Sequence, residues 1–193
     1  MLLRYSIDVP TPELVAAILA VVYPDARMAV DLTPGRGGFW AEGTATGLER
    51  VELSTADFRA LPQADQAVDL AILDPPHNAD AGARSIMGQR YGTYPQADLE
   101  PVVRQGVREA WRISRIGALV KVTDAVHGQR LVRMSRWVTE ELGEPYETVL
   151  QIRRHALVDP RWKEPQLSAR NNGALYLCYR RGDQRHIRRR PKP

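Results

Sequence analysis

A single cysteine, Cys178, excludes a disulfide framework and any cysteine-based zinc site. It alternates with apolar neighbours and reads as a buried small hydrophobe rather than a nucleophile. His127, His155 and His186 lie far apart without ligand spacing, so no metal is expected. Long apolar runs are missing too. The longest, Leu14 to Tyr23, is about half a membrane span, and no cationic leader precedes it. Secretion and membrane insertion are therefore not expected, and a reduced, cytoplasmic setting is. No internal repeat is visible. What remains is the composition of one globular domain: 193 residues, 44% hydrophobic and 26% charged. A chain of this size buries about 70% of its extended surface, enough for a core without staples.

Charge is unevenly placed. The net charge is +4. Residues 180–193 carry seven basic side chains against Asp183 alone, so residues 1–179 are slightly acidic. The basic character comes from a tail, read here as residues 181–193 following a domain over 1–180. An Arg-rich end attracts phosphate or is simply solvated.

Hydrophobic period sets the elements. Leu14, Val15, Ile18, Leu19 and Val22 form one helical stripe, with Thr11 as expected N-cap and Pro12 at the first helical position. Met28 to Leu32 reads as a strand entering a Gly-rich turn, and Glu49 to Leu53 as a brief second strand. Ala67 to Leu73 is the central-strand candidate, because a continuous apolar run suits a sheet covered on both faces. Asp98 is expected to cap a helix striped by Leu99, Val102, Val103, Val107, Ala110 and Trp111. Ile116-Gly117 reads as a turn and Ala118 to Val122 as the next strand. Leu131, Met134, Val138 and Leu142 mark a helix closed by Gly143. Thr148 to Ile152 and Ala174 to Tyr179 suggest an antiparallel pair at one sheet edge. Alternating strands and helices predict an α/β domain with a mostly parallel central sheet and helices on both faces.

Two segments carry chemistry. The first is Asp31-Leu32-Thr33-Pro34-Gly35-Arg36-Gly37-Gly38, a Gly-rich turn straight after a strand. It either brings backbone close to a ligand or is only a tight turn. Its spacing is neither the dinucleotide fingerprint nor the phosphate loop. The second is Asp74-Pro75-Pro76-His77, where two prolines end the buried strand and hold an acid, a carbonyl and a flat ring at the sheet's carboxyl edge. Its bland alternative is a Pro-Pro turn beside a surface acid.

Together these segments resemble the donor loop and the DPPY-type catalytic motif of S-adenosylmethionine-dependent DNA amino-methyltransferases, which act on adenine N6 or cytosine N4. The order of Thr11-Pro12-Glu13-Leu14, Asp31-x-x-x-Gly35-x-Gly37 and Asp74-Pro75-Pro76-His77 is similar to short phage and prophage-like members, as is Arg90-Tyr91-Gly92 downstream. The resemblance spans about residues 8–180. Three features depart from the pattern. His77 replaces the aromatic residue, the stretch from Gly38 to Asp74 is one strand–helix step short, and there is no room for a separate target-recognition domain.

The resemblance implies a Rossmann-like methyltransferase fold, S-adenosylmethionine as cofactor and DNA as partner, with RNA as the alternative and a homodimer left open. It assigns Asp74, Pro75, Pro76 and His77 to catalysis. The Asp74 carboxylate and the Pro75 carbonyl would accept both hydrogens of an exocyclic amine, and His77 would hold the flipped base. Asp31, Thr33, Gly35 and Gly37 would line the donor's methionine moiety, with Thr11 and Pro12 closing over it. Asp57 resembles the acid that takes the donor's adenine amino group, with Phe58 beside the ring, and Glu52 is the nearby acid for the ribose. Asp at position 74 leans toward adenine. Lys121, unusual in an apolar strand, is a candidate for substrate phosphate. Arg161, Lys163, Arg170 and Asn171 form a basic-aromatic loop with Trp162, suited to unpaired bases or else an ordinary excursion. Arg188, Arg189 and Arg190 extend the basic surface. The rival readings are a catalytically inactive nucleic-acid-binding module of the same fold and a small-molecule methyltransferase, which the Arg-rich tail disfavours.

Overall fold

The computed structural model describes residues 3–35, 38–40, 46–77, 95–127, 130–152 and 173–182. The elements are β1 (Leu3–Ile7), α1 (Thr11–Val22), β2 (Met28–Asp31), β3 (Arg50–Leu53), β4 (Val68–Leu73) and α2 (Gln96–Ile113), followed by β5 (Ser114–Val122). The chain continues through β6 (Ala125–His127), β7 (Arg130–Val132), α3 (Met134–Leu142), β8 (Glu147–Ile152) and β9 (Gly173–Arg180). Seven strands form one sheet in the order β1-β8-β9-β5-β4-β2-β3, and β6 and β7 pair as a separate hairpin.

The expected Rossmann-like α/β architecture is present. β4 is buried along its whole length, as an apolar run between two helical layers must be. Its side chains alternate between two cores. Leu70 and Ile72 pack with the α1 stripe, whereas Ala71 and Leu73 pack with Leu99, Val103 and Val107 of α2. Among the described residues no helix is long and apolar enough to cross a membrane.

Four local expectations are corrected. The antiparallel pair is not at the edge: β9 alone opposes its neighbours β5 and β8, and β1, unforeseen, covers β8 in parallel. Ile116-Gly117 is not a turn, because α2 passes directly into β5 and Gly117 pairs with Arg180. There a Cβ would stand 1.9 Å from the Tyr179 carbonyl oxygen, so close strand approach explains the glycine. Pro10 and Pro95, not Thr11 and Asp98, occupy the N-caps of α1 and α2. Leu131 belongs to β7 and is exposed, so α3 begins three residues later than its apolar spacing implied.

Candidate active site

Strand order locates the crevice. From β2 the chain goes to β3 on one side and returns to β4 on the other, so the order reverses between β2 and β4. Open α/β sheets bind ligands outside the carboxyl ends of the strands at such a point. The two segments singled out from sequence emerge at this point. Asp31 pairs with Ile72 in register, and Asp74 lies two residues beyond it.

Hydrogen bonds join the loops. The Asp74 backbone N–H donates to Thr33 Oγ1 at 2.7 Å, locking the first residue of the Pro-Pro turn to the donor-type loop. Leu32 N–H donates to the Ile72 carbonyl, and Ser54 N–H to that of Asp31, extending the ladder past the strand ends. Gly35 takes φ +51°, a left-handed turn that glycine tolerates without a Cβ penalty. Gly38 faces open space.

Asp31 is buried, and both its oxygens are used. Oδ1 accepts the Thr33 N–H at 3.0 Å and Oδ2 the Trp40 indole N–H at 2.7 Å. Burial pushes its pKa up against these two donors, with the charge of Asp74 adding to the rise and that of Lys121 opposing it. Asp31 therefore shapes the loop from within rather than lining its ligand face. Trp40 completes that support and packs on the α1 side of the core.

At the end of β4, alternation decides what meets what. Leu73 pairs with Val120, so Asp74 and Lys121 are the next residues on both strands and share the opposite face. Lys121 Nζ donates to Asp74 Oδ2 at 2.6 Å and stands 5.2 Å above the Phe39 ring. The lysine expected to reach substrate phosphate is instead the counter-ion of the catalytic-type acid. Phe39 was missed from sequence; its signal, an aromatic immediately after the Gly run, needed the β5 register to be read. Asp74 Oδ1 is shielded from solvent and has no hydrogen-bond partner among the described residues, with His77 Nδ1 standing 3.8 Å away. His77 Nδ1 lies 2.8 Å from the Pro75 carbonyl oxygen. A carbonyl only accepts, so this contact places a proton on Nδ1. One lone pair of the Pro75 carbonyl is thereby spent on its own loop.

Other predicted positions separate. Asp57 turns to its own loop. Arg59 donates to both its oxygens, at 2.6–3.1 Å, and this holds its pKa down at about 2. Phe58 packs against α2, where its ring fills the space that a Cβ on Gly106 would need. Where the resemblance implied the donor's adenine as their partner, Asp57 holds Arg59 and Phe58 holds α2. Glu52 sits one residue before the carboxyl end of β3, beside β2, held by Gln63 Nε2 at 3.3 Å and Arg50 at 3.6 Å. Thr11 is tied to β8 through Gln151 Nε2 at 3.5 Å. Four strand spacings of about 4.8 Å put β8 roughly 19 Å from β2. Thr11 and Pro12 thus begin α1 on the β8 side of the sheet. Gly37, Arg161, Lys163, Arg170, Asn171, Arg188, Arg189 and Arg190 lie outside the described residues, as does Arg90-Tyr91-Gly92. Among the described residues no cluster of His, Cys, Asp and Glu could hold a metal ion.

No protein-family model matches the sequence, and no curated protein does. Among solved structures the chain is similar to an S-adenosylmethionine-dependent methyltransferase of Thermotoga maritima, described as a possible histamine N-methyltransferase. Identity is 14% over 88% of this chain and 87% of that one, with a TM-score of 0.47. It is also similar to a methyltransferase assigned to an antibiotic biosynthesis pathway of Anabaena variabilis, at 15% identity over 74% of this chain and 64% of that one, with a TM-score of 0.41. The cyclase SpnF is similar at 15% identity over 68% of this chain and 56% of that one, with a TM-score of 0.39.

Proposed function

We propose that the chain is an S-adenosylmethionine-dependent methyltransferase acting on an exocyclic amine of a nucleic-acid base, most simply adenine N6 in DNA. The observation that carries this is Asp74 Oδ1, a shielded carboxylate oxygen with no hydrogen-bond partner among the described residues, at the carboxyl edge of β4 beside a Gly-rich loop. A buried acceptor without a donor costs about 1–3 kcal/mol, so it is suited to an N–H brought by substrate.

Asp74 carries the ion pair to Lys121 and buried Asp31 lies behind it, an acidic surrounding that suits a sulfonium. The open side of Gly38 and the Glu52 carboxylate suit the methionine and ribose ends. The adenine end lacks its expected acid, since Asp57 is occupied by Arg59. When bound there, S-adenosylmethionine supplies an electrophilic methyl group.

The chain's own residues do the positioning. An exocyclic amine is a poor nucleophile while its lone pair is delocalised into the ring. Donating one N–H to Asp74 Oδ1 and the other to the remaining lone pair of the Pro75 carbonyl favours a pyramidal nitrogen with its lone pair freed. Thr33 and Lys121 hold the Asp74 backbone and carboxylate so that this acceptor does not reorganise during the reaction. The His77 ring, fixed by its bond to the Pro75 carbonyl, offers a face to the displaced base.

The test is transfer of a labelled methyl group to DNA and to RNA, in single turnover. Asp74→Ala should slow transfer by about 10²-fold or more while calorimetric binding of S-adenosylmethionine persists. Equal rates for wild type and Asp74→Ala would refute the assignment. If wild type labels neither nucleic acid, the inactive binding-module reading replaces it.

A further inference from the structure

We infer that Arg130 and Arg133, on either side of the exposed Leu131, form a docking surface for the phosphodiester backbone of DNA. This rests on the reading of a nucleic-acid base as substrate and adds the surface that holds the rest of the polymer.

Placement comes first. β5 carries Lys121 to Asp74, and only three residues further Asp124 accepts the Ser135 N–H at 2.9 Å and the Ser135 hydroxyl at 2.7 Å. The first turn of α3 is thereby pinned to the carboxyl end of β5. The β6–β7 hairpin spans between these two points, pairing Ala125 with Val132 and His127 with Arg130. It therefore stands at the same sheet edge as the catalytic-type acid. Three residues of chain reach at most about 10 Å.

Charge pairing is the second observation. Every other described arginine with a placed side chain meets a carboxylate or, in Arg181, stacks on Trp111 and donates to two main-chain carbonyls. Arg130 and Arg133 meet no carboxylate among the described residues, and both are exposed. They line a groove of about 620 Å³ between the hairpin, α2 and α3, where Arg104 is already held by Glu100, Glu140 and Glu141. Leu131, between them in the chain, is 54% exposed. Unpaired guanidinium groups are forks for phosphate oxygens, and a backbone of one negative charge per nucleotide supplies them at any sequence. Two arginines three residues apart span two to three nucleotides at about 3.4 Å each. A base delivered to Asp74 would leave its flanking phosphates at this edge.

The test is the salt dependence of binding to a mixed-sequence DNA duplex between 50 and 200 mM salt, using the full chain. An RNA hairpin is run beside it. Arg130→Gln/Arg133→Gln should flatten the slope of log K against log salt by about 1.8 units, 0.9 for each lost phosphate contact, with S-adenosylmethionine binding unchanged. Arg27→Gln/Arg50→Gln, at the opposite sheet edge, should leave the slope as in wild type. A wild-type slope in the Arg130/Arg133 variant overturns the docking surface and leaves the proposed chemistry standing. Flattening on RNA but not on DNA overturns the choice of DNA. A wild type that binds neither nucleic acid overturns the docking surface and the nucleic-acid substrate together.

Discussion

Replacing Lys121 with Met, Asp74 with Asn, and both at once measures how firmly the acceptor at the end of β4 is held. The ammonium and carboxylate are 2.6 Å apart, with side chains only 12% and 22% exposed. Removing one partner of a fully buried pair costs about 3–5 kcal/mol, because the other charge is left uncompensated. The residual exposure here lowers that to about 2–3 kcal/mol for Lys121→Met, which strands the Asp74 carboxylate beside buried Asp31. Asp74→Asn strands the ammonium near the Phe39 ring and should cost about the same or less. The double variant leaves no unpaired charge and should be no less stable than either single one, a coupling of about 1–3 kcal/mol. Urea unfolding at pH 7 reads this directly as midpoints at constant slope. Additivity to within about 0.5 kcal/mol would refute the reasoning, and Lys121 would then be an independent surface cation. The same variants separate stability from chemistry, because Lys121→Met keeps the Asp74 oxygens but loosens them. Methyl transfer should fall by about tenfold with donor binding retained.

Two further outcomes test the frame. Gly117→Ala sets a Cβ 1.9 Å from the Tyr179 carbonyl oxygen and should destabilise by about 3 kcal/mol or more, since the β5–β9 ladder must part. Gly106→Ala clashes with the Phe58 ring, a side chain rather than backbone, touches Leu73 at an ordinary 3.5 Å and gains helix propensity, so thermal unfolding should show a milder loss of about 1–2 kcal/mol. In acid, the depressed carboxylates dominate. Arg59 holds Asp57 at about 2, Arg112 lowers Glu109, Arg104 lowers Glu140 and Arg108 lowers Glu141. Their stabilisation is complete above the unfolded carboxylate range near pH 4 and is lost as pH falls through the folded values. Unfolding midpoints should stay level from pH 7 to about 5.5 and drop below about 4.5, less steeply in Glu141→Gln.

Much of the fold was legible in the amino-acid order because the apolar period is local information. The α1 stripe, the continuous run of β4 and the α2 stripe each repeat at the spacing of the element they form, and all three bury as that spacing demands. The Gly run and Asp-Pro-Pro-His could likewise be read as strand-ending turns, because glycine and proline act on their own backbone. Short strands escaped. β6 and β7, three residues each, carry too few for a period to show and become strands by pairing with each other, whereas the short alternation of β1 finds its partner, β8, only far along the chain. The site divided along the same line. That Asp74 and the Gly loop belong together follows from sequence order and sheet rules. That Lys121 faces Asp74, that Arg59 occupies Asp57 and that Phe58 packs against Gly106 depend on register, rotamer and the packing of distant segments. A residue type states what a side chain can donate or accept; which partner stands within 3 Å is decided only when the whole chain has closed around it.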